Sequence, residues 1–267
     1  MRAQTPKKAL HRLAILLCAV VLLAGGLYIA SWYANRGRIQ QEGEKYSQLY
    51  APQATSAVTP SPSPASTEAP LPEVEDQPLP DALVYALPTL PPVQDSFADL
   101  TALNPETVGF LRIENALSLP VVQRENDNEF YLNHNFEQDE APEGTLFLDG
   151  MNRLVPEDGC LIIYGHNLHN GTMFGSLDRY AEGDYLKSHP LVHFDTIYEN
   201  RVYVPFAAFS ASMDDGDASF FQVRRFFPNG EDTEAFIASL KERSSLEIPV
   251  DVQSGDRLLL LVTCHYS

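Results

Sequence analysis

The stretch Leu258-Leu-Leu-Leu-Val-Thr-Cys-His-Tyr-Ser267 determines how the rest of the chain is interpreted. Its five apolar residues, Leu258 to Val262, follow the turn-forming sequence Ser254-Gly255-Asp256 and predict a buried strand. That strand would carry Cys264 to its carboxyl end, where a rigid element meets solvent and a thiolate nucleophile can reach a substrate. The alternative interpretation is a small residue buried at the end of a core strand, as most free cysteines are.

The charge distribution excludes one class of partner. The chain of 267 residues has a net charge of −18, although its first 45 residues carry seven Lys and Arg against two Asp and Glu. The remainder therefore holds eleven basic and 34 acidic residues. That much negative charge repels nucleic acid and anionic lipid, so we expect the soluble part to bind neither.

Three cysteines are too few for a disulfide framework. Cys18 lies in an apolar segment and Cys160 in a strand-like run, which leaves Cys264 as the odd one. An unpaired cysteine in an oxidising compartment usually has a chemical role, which favours the interpretation of Cys264 as a nucleophile.

The N-terminal segment is long enough to cross a membrane. Leu13–Trp32 carries no charge over about twenty residues. Basic residues precede it, and the aromatic pair Trp32-Tyr33 closes it like an interfacial anchor. A cleaved signal peptide is the alternative, but its apolar core is shorter. We expect a cytoplasmic N-terminus over residues 1–12, a transmembrane signal-anchor over 13–33, and a single-pass protein whose remainder is extracellular.

A segment rich in Pro, Ser and Thr follows the anchor. Residues 51–92, with Pro60-Ser-Pro-Ser-Pro64 at their centre, cannot bury enough apolar surface to fold, and the prolines keep them extended. We therefore predict an extracellular linker over residues 34–95, a disordered stalk that holds a folded domain away from the membrane.

The folded domain is predicted over residues 96–267. Short apolar runs introduced by turn residues predict strands at Val108–Ile113, Leu119–Val122, Thr145–Leu148, Cys160–Tyr164, Val192–Phe194, Arg201–Phe209 and Leu258–Val262. Helical spacing is limited to Phe97–Leu103 and Asp232–Arg243. Many short strands with few helices predict a mainly β domain, a mostly antiparallel barrel or sandwich.

His166 is the candidate partner of Cys264. It lies in the Gly- and Asn-rich turn Tyr164-Gly-His-Asn, directly after the Cys160 strand. If that strand and the Leu258 strand are parallel neighbours, their carboxyl ends bring His166 close to Cys264, and an imidazole beside a thiol forms a thiolate nucleophile. Cys160 lies roughly 20 Å back along its strand. A loop histidine that bonds only its neighbours is the alternative for His166.

The other histidines are weaker candidates. His166 and His169 have the spacing of half a metal site, but no further ligand stands at a zinc-like distance. His265 points to the face of the strand opposite Cys264. His134, His189 and His193 are interpreted as surface or packing residues.

The two motifs together resemble the paired signature of class B sortases, the membrane-anchored cysteine transpeptidases of Gram-positive bacteria. The resemblance rests on Tyr164-Gly-His166-Asn, on Gly171-Thr-Met-Phe-Gly-Ser-Leu177 and on Leu261-Val-Thr-Cys264, and it spans roughly Phe97 to Ser267. It implies a sortase-like β-barrel in which the late helix over 232–243 is the class B insertion.

The resemblance also implies the chemistry. Cys264 would attack a Thr-Gly-like or Thr-Asn-like bond in the sorting signal of a surface protein and form an acyl-thioester. His166 would serve as general acid and then as general base, and an amine of a cell-wall peptide or of a pilin subunit would accept the acyl group. No metal or other cofactor is implied.

One departure from the family concerns the region after the cysteine. Sortases carry an essential arginine on the following strand, with an aspartate before it in class B, whereas this sequence stops three residues after Cys264. Arg201, Arg224 and Arg225 do not match that position. We expect a truncated reading of a longer sequence, with a sortase that lacks one strand as the alternative. The other candidate functions are a catalytically impaired surface-anchored peptide-binding module and a cysteine hydrolase that uses water.

Overall fold

The fold is taken from a computed structural model, which describes residues 6–50, 90–211 and 230–263. Cys264, Arg224, Arg225 and most of the predicted linker lie outside the described residues. The seven described strands are β1 (Thr107–Ile113), β2 (Leu117–Val122), β3 (Leu146–Leu148), β4 (Cys160–Tyr164), β5 (Val192–Thr196), β6 (Val202–Tyr203) and β7 (Leu258–Val262).

These strands form one sheet in the order β6-β5-β1-β2-β3-β4-β7, which curls into a nearly closed barrel. Four of the six pairings are antiparallel, whereas β2 with β3 and β4 with β7 are parallel. The prediction of a mainly β, mostly antiparallel barrel is confirmed. Among the described residues β7 pairs only with β4, and β6 pairs only with β5.

The described part of the chain contains four α-helices beside the sheet, namely α1 (Pro6–Leu49), α2 (Ala98–Leu103), α3 (Gly183–Ser188) and α4 (Gly230–Arg243). Short 3₁₀ turns occur at Asp95–Phe97, Phe130–Leu132 and Leu177–Ala181. The helix predicted over 232–243 is present as α4. Its apolar face, Phe236, Ile237 and Leu240, packs in one cluster with Cys160 and Leu258.

Successive residues of the central strands lie in different clusters, because neighbouring side chains of a strand point to opposite faces. Phe110 and Leu111 of β1 illustrate this, as do Val121 and Val122 of β2. One cluster fills the barrel and the other lies beneath α1, α2 and the turn at Phe130. Both faces of β1 to β3 are therefore buried.

The structure differs from the linker predicted over residues 34–95 in the first part of that range. Residues 34–49 continue α1, and the helix reaches the barrel without an extended segment. Its buried residues Ile39, Gly43 and Tyr46, with Tyr50 directly after its last residue, recur at three- and four-residue intervals, which places the helical ones on one face. Burial of that face against the barrel explains why this polar stretch is helical.

A second difference concerns the strand predicted over Arg201–Phe209. Only Val202–Tyr203 pair with β5, and the residues that follow leave the sheet. Residues 204–211 instead form one wall of a cleft beside β7.

Candidate active site

The site is built on two parallel neighbouring strands, β4 and β7. Their register places Cys160 opposite Leu258 and Tyr164 opposite Val262. The arrangement assumed in the sequence analysis, with both carboxyl ends at one edge of the barrel, is therefore present. The chain leaves this edge towards His166 after β4 and towards Cys264 after β7, although Cys264 itself lies outside the described residues.

Two hydrogen bonds extend the pairing beyond the ends of the strands. The Gly165 amide donates to the Val262 carbonyl at 3.1 Å, and the Thr263 hydroxyl donates to the Gly165 carbonyl at 2.8 Å. The residue before His166 and the residue before Cys264 are thus bonded directly to each other.

The half-buried His166 ring has a defined orientation. Its Nε2 lies 2.8 Å from the carbonyl oxygen of Leu132. Because a carbonyl oxygen only accepts hydrogen bonds, Nε2 must carry the hydrogen, which leaves Nδ1 as the nitrogen that can exchange a proton. A histidine held in this way is suited to general acid-base chemistry.

The Leu132 carbonyl is held by a compact polar network. It ends the 3₁₀ turn Phe130–Leu132, whose Tyr131 hydroxyl donates to Glu106 at 2.5 Å and accepts from Asn104 at 3.0 Å. Burial raises the pKa of Tyr131 to about 12. Burial alone would raise the pKa of Glu106, but hydrogen bonds from Arg124 and Tyr131 outweigh it and lower that pKa. The carboxylate therefore stays ionised and keeps Tyr131 in place.

Gly144 makes the close approach to this turn possible. Its φ of +61° is the left-handed conformation that favours glycine. A Cβ at this position would lie 2.5 Å from the Tyr131 carbonyl oxygen and 2.9 Å from the Leu132 carbonyl oxygen. Any side chain here would displace the acceptor of the His166 ring.

A cleft of about 2220 Å³ begins at His166 and follows β7. Its lining includes all of β7 and the segment 204–211. The surface of the cleft is mostly apolar, and His166 is among the residues that line it. Such a shape suits an extended peptide whose reacting bond lies beside the histidine.

Arg201 lies on the wall of the same cleft, but its charge is neutralised by neighbouring carboxylates. Its guanidinium forms ion pairs with Glu157 and Glu199 and is largely buried. Arg257 joins this cluster through Glu199 at 3.0 Å. Arg201 therefore serves an internal ion cluster, in agreement with its failure to match the arginine of the sortase pattern.

Three of the other sequence candidates, His134, His189 and Cys160, are packing residues, whereas His265 lies outside the described residues. His134 stacks on Phe130 and His189 on Tyr185, with ring centroids 3.8 and 4.0 Å apart. Cys160 is buried, and desolvation raises the pKa of its thiol to about 12, so it is unreactive at neutral pH. Within the described residues, no group of three or more His, Cys, Asp or Glu is placed to hold a metal ion.

Sequence reasoning missed two contributors to the site. The Leu132 carbonyl is a backbone atom, and no residue type marks its role. Thr263 was considered only as the neighbour of Cys264. Its hydroxyl, at the end of a strand, was the feature that could have indicated a hydrogen bond to the neighbouring strand.

Comparison with known proteins adds a family context. No family model matches the chain. Sortase B of Listeria monocytogenes is 33% identical over 173 residues, which cover 64% of this chain and 68% of the relative. Sortase B of Staphylococcus aureus is 29% identical over 174 residues, covering 65% and 69%. A solved S. aureus sortase B–substrate complex superimposes with a TM-score of 0.60 at 29% identity, covering 66% of this chain and 79% of that one.

Proposed function

The chain belongs to the sortase B family of cysteine transpeptidases, and on that basis we propose that Cys264 is its nucleophile and His166 its general acid and base. The proposed substrates are surface proteins that carry a sorting signal. The proposed acceptors are amines of a cell-wall peptide or of a pilin subunit.

The reaction proceeds in two acyl transfers. The Cys264 thiolate attacks the carbonyl carbon of the scissile peptide bond, and His166 protonates the departing amine as the C–N bond breaks. In the second step His166 removes a proton from the acceptor amine, whose nitrogen attacks the thioester. The C–S bond then breaks and the thiolate is restored.

The observation that carries this proposal is the parallel pairing of β4 and β7. It joins Gly165 to Thr263 by a 2.8 Å hydrogen bond, and these residues immediately precede His166 and Cys264. Consecutive Cα atoms are about 3.8 Å apart, so the nucleophile and the histidine both begin within one residue of that bond.

The apolar cleft along β7 supports a peptide substrate. His166 lines this cleft and would lie beside the scissile bond, and the lining residues Leu259, Leu261 and 204–211 would hold an extended chain. Because such walls exclude water, they favour an amine over water as the acceptor of the acyl group.

Membrane anchoring by α1 completes the proposal. Leu17–Leu49 is long and apolar enough to cross a bilayer, by length and composition. The side chains from Leu17 to Ser31 are largely exposed, as expected for a surface that faces lipid. The barrel would then lie on the extracellular side.

The test is a peptide-cleavage assay on the purified full-length chain, with and without an amine acceptor. The substrates are fluorogenic peptides that contain Thr-Gly or Thr-Asn bonds. We expect an acyl-amine product that depends on the acceptor, and its loss by at least about a thousandfold in Cys264→Ala.

Cys160→Ala is the matched control, because Cys160 is buried and far from the cleft end. It should retain turnover. Turnover that survives Cys264→Ala would disprove the assignment of the nucleophile, hydrolysis without amine transfer would indicate a cysteine hydrolase, and binding without turnover would indicate a peptide-binding module.

A further inference from the structure

We propose that the continuous helix α1, and not the Pro-rich segment, sets the distance between the membrane and the candidate active site. The barrel would rest against the outer headgroup layer, with the loop that carries His166 on the side where the helix arrives. This inference relies on the membrane anchoring proposed above and not on the transpeptidase chemistry.

The change from lipid-facing to barrel-facing surface occurs over a short helical distance. Side chains are exposed from Leu17 to Ser31, and the first fully covered side chain is Ile39, which is 4% exposed. Trp32 precedes Ile39 by seven residues, or about 10 Å along a helix. The headgroup layer of one leaflet is itself roughly 5–7 Å thick, so little space remains between bilayer and barrel.

The helix is held tightly against strand β2. Gly43 lies so close that a Cβ there would be 3.2 Å from the Ser118 carbonyl oxygen. The hydroxyls of Ser47 and Ser118 are 2.8 Å apart and hydrogen-bonded. One cavity between helix and barrel has a volume of about 20 Å³, enough for about one water molecule.

Ion pairs fix the helix on either side of this contact. Arg38 pairs with the buried Glu143, and Lys45 pairs with Glu137. Glu143 directly precedes Gly144, which controls the position of the Leu132 carbonyl. The membrane-proximal part of the helix is thus bonded to the segment that supports the His166 acceptor.

A second route links the helix to the His166 loop. Ile39 and Met173 line the same small cavity. Met173 forms a β-bridge with Asn167, and the amide of the next residue, Phe174, donates to the His166 carbonyl at 2.9 Å. The side of the barrel nearest the membrane segment is therefore the side that carries His166.

Both ends of the Pro-rich segment are attached to the same part of the barrel. Tyr50 donates to Asp195 at 2.7 Å, and Gln94 donates through its side chain to the carbonyl of Thr196 at 2.7 Å. The rings of Tyr50 and Phe97 are 5.0 Å apart. The residues that flank this segment, Tyr50 and Gln94, are thus bound at neighbouring positions of β5, so the length of the segment adds nothing to the reach of the domain.

The experiment measures energy transfer in nanodiscs of phosphatidylcholine that contain rhodamine-labelled lipid. The donor is attached to His169→Cys, an exposed site in the His166 loop, in the full-length chain with Cys18→Ser and Cys264→Ala. One variant lacks residues 55–85. A second carries six Gly and Ser residues inserted after Asn35, and a matched control carries the same insert after Ser63.

We expect the transfer efficiency of the shortened chain and of the Ser63 insert to equal that of the parent. The Asn35 insert should lower it, because six flexible residues add roughly 13 Å of reach. Equal melting temperatures establish that the barrel is unchanged.

An unchanged efficiency for the Asn35 insert, or an altered one for the shortened chain, would overturn the inference. So would a failure of brominated lipid to quench Trp32, the sole tryptophan, since the chain would then not be anchored. Energy transfer does not depend on catalytic turnover. The experiment therefore tests the spacing set by α1 even if the chain is inactive as a transpeptidase.

Discussion

The Thr263 hydroxyl donates a 2.8 Å hydrogen bond to the Gly165 carbonyl and ties the end of β7 to the end of β4. These strands belong to distant parts of the sequence, and Thr263 and Gly165 are 98 residues apart. The bond connects the two chain segments that carry the proposed nucleophile and the proposed base.

Replacing Thr263 with Val removes this bond and keeps the shape of the side chain. We expect a loss of about 1 kcal/mol in the free energy of unfolding and a fall of about tenfold in kcat, because the proposed nucleophile and the proposed base lose a shared anchor. Denaturant unfolding and the peptide-cleavage assay measure the two effects. Thr263→Ser retains a hydroxyl and should behave as the parent, and equal defects in both variants would contradict the role of the bond.

The His166 tautomer is a second prediction. Since Nε2 donates to the Leu132 carbonyl, the neutral ring should carry its hydrogen on Nε2. Two-dimensional NMR that correlates the ring nitrogens and carbons of the ¹⁵N-labelled protein distinguishes the two tautomers. A neutral His166 with its hydrogen on Nδ1 would show that the Leu132 contact does not orient the ring.

Gly144→Ala should damage both stability and catalysis. The new methyl group would meet the carbonyl oxygens of Tyr131 and Leu132 in a backbone conformation that disfavours alanine. We expect a loss of about 2–4 kcal/mol in stability and a large fall in kcat.

Gly171→Ala is the matched control for this change. Gly171 also has a positive φ, of +75°, but a Cβ there meets nothing within 4 Å. Its expected cost is about 1 kcal/mol from the backbone alone, with kcat preserved. Identical effects of the two substitutions would show that the contact of Gly144 with the Leu132 carbonyl has no influence on the site.

The buried thiol of Cys160 predicts a pH dependence of stability. Its pKa is raised by desolvation from 9.0 to about 12 in the folded state, so its contribution is complete below pH 9. Between pH 9 and 12 the unfolded chain releases the proton more readily, and stability should fall by up to about 1.4 kcal/mol per pH unit from this group.

Denaturant titrations of the parent and of Cys160→Ala across this range test the effect. Raised tyrosine pKa values lower the stability of both proteins in alkali, and the difference between the two proteins isolates the thiol. Parallel curves above pH 9 would show that Cys160 is not shielded from solvent.

Tyr50→Phe tests the junction between α1 and the barrel. The Tyr50 hydroxyl donates to Asp195, whose carboxylate also accepts from Arg112 at 3.0 Å. Removing it should cost about 1–3 kcal/mol, because a buried acceptor loses a partner. Thermal unfolding measures the loss. Tyr33→Phe, at an exposed position of α1, should leave the melting temperature unchanged. An unchanged melting temperature for Tyr50→Phe would mean that packing alone holds the junction.

The strands that carry the site were predictable because their sequences are locally unambiguous. Cys160–Tyr164 and Leu258–Val262 are apolar runs introduced by turn residues, and both agree with β4 and β7 to the residue. Their parallel pairing was an assumption, from which the proximity of His166 to Cys264 followed, and the structure contains that pairing. The class B sortase resemblance rested on the same two motifs and is confirmed by the family relationship.

The parts that sequence reasoning missed depend on tertiary contacts. The helical character of residues 34–49 comes from packing of Ile39, Gly43 and Tyr46 on the barrel, and the polar residues between them suggested a linker. The orientation of His166 depends on the backbone of Leu132, which any residue type supplies. The strand predicted over Arg201–Phe209 is short because its continuation lines the cleft.

The pairing of β4 with β7 also has a consequence for biogenesis. In an export process that delivers the chain from its N-terminus, β4 emerges long before its neighbour, and its apolar edge waits unpaired for about a hundred residues of synthesis. Contacts of such sequence separation form late and slowly. If Cys264 is the nucleophile as proposed, its strand would be held beside His166 only after β7 has paired, and until then the edge of β4 stays open to pairing with other chains.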